Sequence, residues 1–179
     1  MGGKKEFIIP FGNLGKGEHE FEFEVDSTFF KQFDESIIQD GQVSILVVLE
    51  KKEGILLLDF TLQGKVVVAC DRCLEELELE LEGYNELIVK IGKPEEDADS
   101  EDILYLSPRE HELDISQLIY EYITVMIPMR NVHEDEDGNP ECRKEALENI
   151  EKHLAHEPKE DEEPPTDPRW DILKGINLN

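Results

Sequence analysis

Apolar and polar positions alternate over much of the first half of this chain, and a period of two marks strands with one buried and one solvated face. His19-Glu20-Phe21-Glu22-Phe23-Glu24-Val25 shows the alternation most clearly and predicts a half-buried strand. Ahead of it, Phe7-Ile8-Ile9-Pro10-Phe11 is a short apolar stretch followed by a Gly-rich turn. Asp26-Ser27 can cap a short helix that puts Phe29, Phe30 and Phe33 on one face, a plug for one side of a sheet. Gln42 to Leu49, Ile55 to Leu62 and Lys65 to Cys70 read as three β-rich runs, separated by turn signals at Lys51-Lys52-Glu53-Gly54 and Gln63-Gly64. Connections that short predict an antiparallel meander. From Leu74 to Ile91 the alternation resumes, with Glu on the outer face.

Beyond Ile91 the pattern changes. Lys93 to Glu101 is too charged to pack and reads as a solvated loop. Ile115, Leu118, Ile119, Tyr122, Ile123 and Met126 then recur at helical spacing, with Asp114 as cap, Gln117 at the capping-box position and Pro128 as the stop. Between Glu134 and Pro168 there are fourteen acidic residues and four basic ones, with a weak helical stretch from Arg143 to His156. Such a segment cannot bury enough apolar surface to order fully. It closes on Asp167-Pro168-Arg169-Trp170-Asp171-Ile172-Leu173, where Asp167 can cap a short helix. Trp170 is the only tryptophan, and with Arg169 it is the candidate anchor for docking on the protein itself or on a partner. The expected architecture is α+β: a curved, mainly antiparallel sheet of about five to seven strands, one packed amphipathic helix over 114–127, and an acidic helical-to-disordered tail. Residues 1–132 are expected to form a single domain and 133–179 an acidic extension with a short terminal helix.

Charge narrows the choice of partner. Forty-four carboxylates against eighteen Lys and Arg give a net charge of −26, which repels phosphate backbones. The surface serves solubility and also suits a basic partner. Basic residues are dispersed in pairs such as Lys51-Lys52 and Arg143-Lys144, never in a stripe, so electrostatics favours a basic protein over bare RNA and leaves direct RNA contact open. No apolar run approaches a bilayer span and no signal-peptide core is visible, so a cytoplasmic protein without membrane contact is expected. No nucleophile elbow, Walker loop or His-Glu-x-x-His occurs, and a non-enzymatic role is expected.

The three cysteines carry the candidate chemistry. Cys70-Asp71-Arg72-Cys73 lies between two β-rich runs, and two thiols at a tight turn have the spacing of half a zinc site. Cys142 and His133 can supply the other half, giving a Cys3His set of Cys70, Cys73, His133 and Cys142, although a His-x8-Cys spacing has little specificity. The alternative is a turn holding two reduced thiols, in a protein that folds without metal. A thioredoxin-like role fails on context, because that motif needs its first cysteine at a helix N-terminus. Arg72, between the thiols, can offset thiolate charge or pair with a carboxylate.

Four features together resemble the YceD family: the Cys70-x-x-Cys73-Leu74 hairpin, the apolar helix ending at Ile127-Pro128, the acidic stretch, and the closing Asp-Pro-Arg-Trp-x-x-Leu. The resemblance spans about residue 17 to Leu173. It implies a link to accumulation of large-subunit 23S rRNA, through a non-enzymatic factor that supports assembly of the large subunit by binding a basic ribosomal protein or assembly factor. Many members of that family carry a second Cys-x-x-Cys after the proline-terminated helix, where this chain offers only His133 and Cys142. The other readings are a general acidic adaptor, and a zinc-binding or redox protein built on Cys70 and Cys73.

Overall fold

Alternation along the chain becomes a five-stranded sheet in the computed structural model, which describes residues 7–92, 103–135 and 137–153. Its strands are β2 (Gly17–Val25), β3 (Ile38–Lys51), β4 (Ile55–Ala69), β5 (Glu76–Ile91) and β6 (Ile103–Leu106), hydrogen-bonded in that order. β2 to β5 form the antiparallel meander and β6 joins parallel to β5. β1 (Ile8–Ile9) pairs with β7 (Leu113–Asp114) as a separate two-stranded ribbon. The fold is α+β with a mostly antiparallel sheet.

Cross-strand register puts Phe23, Ile45, Leu62 and Gly83 in one row on one face, and Glu22, Leu46, Thr61 and Tyr84 in the adjacent row on the other. The first face carries the core, including Ile45, Val47, Leu49, Leu58, Phe60 and Leu62. Helix α1 (Ser27–Phe30) is capped by Asp26, whose carboxylate accepts the Thr28 and Phe29 N–H groups, and it buries Phe29 and Phe30. Helix α2 (Ser116–Met126) buries Ile119 and Ile123, and its Tyr122 ring meets Phe60 edge-on at 5.2 Å. No helix among the described residues is long and apolar enough to cross a membrane.

Two local expectations are corrected. Gln63-Gly64 is no turn: β4 runs through it unbroken, with Gly64 opposite Val43 on one side and Leu81 on the other. A Cβ at Gly64 would lie 2.2 Å from the Gln42 carbonyl oxygen and 2.6 Å from Val43 Cα. Glycine is therefore present because neighbouring backbone crowds the strand, not because the chain reverses. At α2 no capping box forms: Asp114 accepts the Ser116 N–H (2.9 Å) and hydroxyl (2.6 Å), while the Gln117 amide donates to Glu121 instead. The helix consequently starts after Ile115 rather than directly after Asp114.

The chain forms two compact units, one ending at Cys142 and one beginning at Arg143. In the second, α3 (Lys144–His153) has no fully buried side chain among its described residues. The stretch expected to be a solvated loop after Lys93 falls in the gap between 92 and 103, outside the described residues.

Candidate metal centre

The turn between β4 and β5 is a tight knuckle. Cys70 N–H donates to the Glu75 carbonyl (2.8 Å), extending the ladder one step beyond Ala69, and Leu74 N–H returns to the Cys70 carbonyl (2.9 Å). Closing so small a loop puts Leu74 in the left-handed region, at φ 61°, with the residue 78% exposed. A branched residue there costs about 1–2 kcal/mol. Leu74→Gly should therefore raise folding stability by up to about 1 kcal/mol, after allowing for the extra freedom of glycine in the unfolded chain. Thermal melts check this; a lower midpoint would show that the Leu74 side chain itself supports the turn.

The segment leaving α2 is clamped to this knuckle by main chain. Asp71 N–H donates to the Asn131 carbonyl (2.7 Å), and Asn131 N–H donates to the Asp71 carboxylate (2.6 Å). Two residues further on, His133 begins a small hairpin: its carbonyl accepts from Glu141 N–H (3.0 Å), Glu134 bridges Pro140, and Asp135 accepts from the N–H groups of Asp137 and Asn139. His133 and Cys142 therefore stand at the base of two adjacent legs, which gives the loose His-x8-Cys spacing a physical basis. The turn residues Asp137-Gly138-Asn139-Pro140 were a readable signal for that hairpin.

The four side chains converge. One ligand atom from each residue lies within 4.8 Å of the other three. Cys70 Sγ is 3.9 Å from Cys142 Sγ, and His133 Nδ1 is 3.4 Å from Cys73 Sγ and 3.9 Å from Cys142 Sγ. Zinc–sulfur bonds of about 2.3 Å and a zinc–nitrogen bond of about 2.0–2.1 Å in a tetrahedron require edges of about 3.8 Å between sulfurs and about 3.6 Å between sulfur and nitrogen. The three observed edges lie within a few tenths of an ångström of those of a zinc tetrahedron, and the donor set could hold a metal ion. The outward nitrogen of His133, Nε2, lies 3.1 Å from the Glu76 carbonyl; donating its proton there leaves the Nδ1 lone pair facing the sulfurs, the tautomer a metal ligand needs. Four protein donors complete a tetrahedron and leave no open position, which is the pattern of a structural rather than a catalytic site.

Electrostatics favours the thiolate at Cys70 and the thiol at Cys73. Burial pushes the Cys70 thiol up, but backbone N–H groups of Cys73, Arg72 and His133 aimed at its sulfur bring it down to about 6. Cys73 moves the other way: the Glu75 backbone favours its thiolate, while burial and the neighbouring Cys70 and Cys142 sulfurs raise it above the ordinary range. One ready thiolate beside a thiol that resists ionising alone suits a site completed by a cation. Arg72 ion-pairs with Glu134 (2.8 Å), which also meets Arg130, and interacts with Cys142. A three-thiolate zinc site would carry net negative charge, which this guanidinium would partly offset. Cys70 and Cys142 are buried, Cys73 and His133 half-buried, and all three cysteines are reduced. Trp170 and Arg169 lie outside the described residues.

Fold and site define a class: an α+β protein whose long antiparallel hairpin is tied at its tip by a Cys3His cluster. The family model described as "Large ribosomal RNA subunit accumulation protein YceD" matches residues 58–177, more than half of the chain, and the chain belongs to the YceD family. The match takes in the knuckle, β5, α2 and the His133–Cys142 hairpin, and starts within β4, later than the resemblance suggested. Comparison with curated proteins and with solved structures finds no match.

Proposed function

We propose that this protein supports accumulation of large-subunit rRNA as a non-enzymatic cytoplasmic factor that binds a basic ribosomal protein or assembly factor. The observation that carries the partner class is the charge of −26 in a member of a family described by rRNA accumulation. RNA phosphates are repelled by such a surface, whereas a lysine- and arginine-rich protein on its way to the ribosome is attracted. In this reading Cys70, Cys73, His133 and Cys142 hold zinc as a structural clamp, joining the β4–β5 tip to the chain after α2. Zinc there contributes rigidity and no reaction step.

A tagged pull-down from the native host, eluted by a salt gradient and split into RNase-treated and untreated halves, tests the partner. Large-subunit proteins or assembly factors should survive RNase and elute as salt rises, because association joins opposite charges. Loss of those proteins on RNase treatment would make RNA the bridge. Recovery without ribosomal enrichment would replace this reading with a general acidic adaptor.

A further inference from the structure

Among the described residues the sheet has one packed face and one bare face, and the bare face is organised. On the edge of the meander, β2 turns Glu18, Glu20, Glu22 and Glu24 outward, all exposed. On β5 the outward positions include Glu80, Glu82 and Glu86, again exposed. Between these two ladders run β3 and β4, whose outward positions are mostly neutral: Ser44, Leu46, Thr61 and Gln63 line a shallow depression together with Glu22 and Glu24. Leu46 at 36% exposure, Tyr84 at 57% and Ile88 at 39% leave apolar surface open to water.

Folding alone does not call for this arrangement. Asp59 stands directly opposite Glu86, a like-charge pair that costs stability in a sheet, and one Tyr84 hydroxyl serves both carboxylates at 2.9 and 3.0 Å. Lys65 and Lys90 are the cations at outward strand positions among the described residues, and Lys65 is already engaged by Glu78 (2.8 Å) and Glu80 (3.2 Å). Solubility would be served by interspersed charge; here carboxylates flank on both sides a mostly neutral channel, in which Glu50 and Asp59 also stand.

The channel has a size. Strands lie about 4.8 Å apart, so β2 and β5, three spacings apart, hold their carboxylates about 14 Å from each other. An α-helix with its side chains is about 10–12 Å across. We propose that this face is the docking surface for one amphipathic helix of a basic partner, lying along β3 and β4, with a narrow apolar stripe on Leu46, Tyr84 and the neighbouring neutral side chains, and with lysines or arginines on both flanks reaching the two glutamate ladders. Charge selects this occupant over the alternatives: a second copy of the chain would bring two carboxylate faces together, and a nucleic acid would set phosphates against them. The proposal rests on the reading of the protein as a holder of a basic partner and adds where and in what form that partner binds.

The test uses the full chain and a fluorescein-labelled synthetic helical peptide of about twenty residues, with a leucine stripe flanked on both sides by lysine, long enough to span the channel at about 1.5 Å per residue. Two variants with equal charge change are compared with the parent. One alters the face (Glu20→Gln, Glu22→Gln, Glu82→Gln, Glu86→Gln), and the other alters exposed carboxylates elsewhere (Asp34→Asn, Glu112→Gln, Glu121→Gln, Glu141→Gln), with circular dichroism confirming that each is folded. Fluorescence anisotropy at physiological salt should show the face variant binding at least about tenfold more weakly and the second variant within about twofold of the parent, since attraction to a docked cation is local once salt screens beyond about 8 Å. A peptide with serine in place of the leucine stripe should also bind at least tenfold more weakly than the leucine peptide, since burial of apolar area is part of the fit. Equal weakening by both variants, equal binding to all three proteins, or no binding to the parent protein would overturn the docking surface. The pull-down of ribosomal proteins can still succeed in each of those cases, so loss of this surface and loss of the basic-partner reading are separate results.

Discussion

Cys70→Ser should strip zinc from the purified protein and leave the sheet standing. Elemental analysis should find about one zinc per chain in the parent and close to none in the variant, because a tetrahedral structural site needs all four donors. Cys70 is the ligand to remove first: it is fully buried, and its thiolate is the one the backbone prepares. The energetic signature is specific. Where free zinc exceeds its dissociation constant about a thousandfold, the metal stabilises the folded chain by about 4 kcal/mol, and a chelator should bring the parent down to nearly the level of the variant. Far-UV circular dichroism should change little, since the main core, from Phe30 and Phe60 to Ile119 and Ile123, does not include the cysteines. Hydrogen exchange should localise the damage, with the Asp71 and Asn131 amides, hydrogen-bonded to each other's residue, exchanging faster. A parent protein isolated without metal, with a stability indifferent to chelator, would reduce the cluster to three thiols packed beside a histidine.

Gly64→Ala is expected to destabilise the fold by about 3 kcal/mol, at the upper end of the range for overpacking. Its added methyl would meet backbone, the Gln42 carbonyl at 2.2 Å, and backbone in the middle of a sheet cannot step aside without disturbing β3 and its ladder. Gly83→Ala is the matched control. Its Cβ would lie 2.8 Å from Met126 Cε and Sδ, the flexible end of an adaptable side chain, and the cost should stay near 1 kcal/mol as Met126 changes rotamer. Urea unfolding of the two variants checks both values. If Gly64→Ala costs no more than Gly83→Ala, the close approach of β3 and β4 does not constrain that position.

Part of the site was readable in advance and part was not. Cys70 and Cys73 belong to one turn, and a local motif reports itself in local sequence. His133 and Cys142 depended on a hairpin whose legs are short and polar, with none of the apolar alternation that marks strands. Contacts across about sixty positions place that hairpin over the knuckle: the Asp71–Asn131 clamp, the Arg72–Glu134 ion pair and the His133–Glu76 hydrogen bond. The helix cap shows the same limit at smaller scale. Asp114 and Gln117 had the spacing of a capping box, yet Asp114 is the last residue of β7, paired with Ile8, and from there its carboxylate reaches the Ser116 N–H and hydroxyl.

Hydrophobic periodicity was sufficient for the class of fold, the antiparallel character of the sheet, the capped Phe plug and the helix before Pro128, because each follows from a pattern within a few neighbouring residues. Charge set the expectation of a basic partner. The three-dimensional arrangement alone decided that Gly64 lies inside a continuous strand, since crowding by Gln42 and Val43 exists only once β3 and β4 are paired. It likewise decided that the glutamates of β2 and β5 flank one channel. Their alternation told which face they share, but the distance between them depends on how many strands lie in between, which is a property of the assembled sheet.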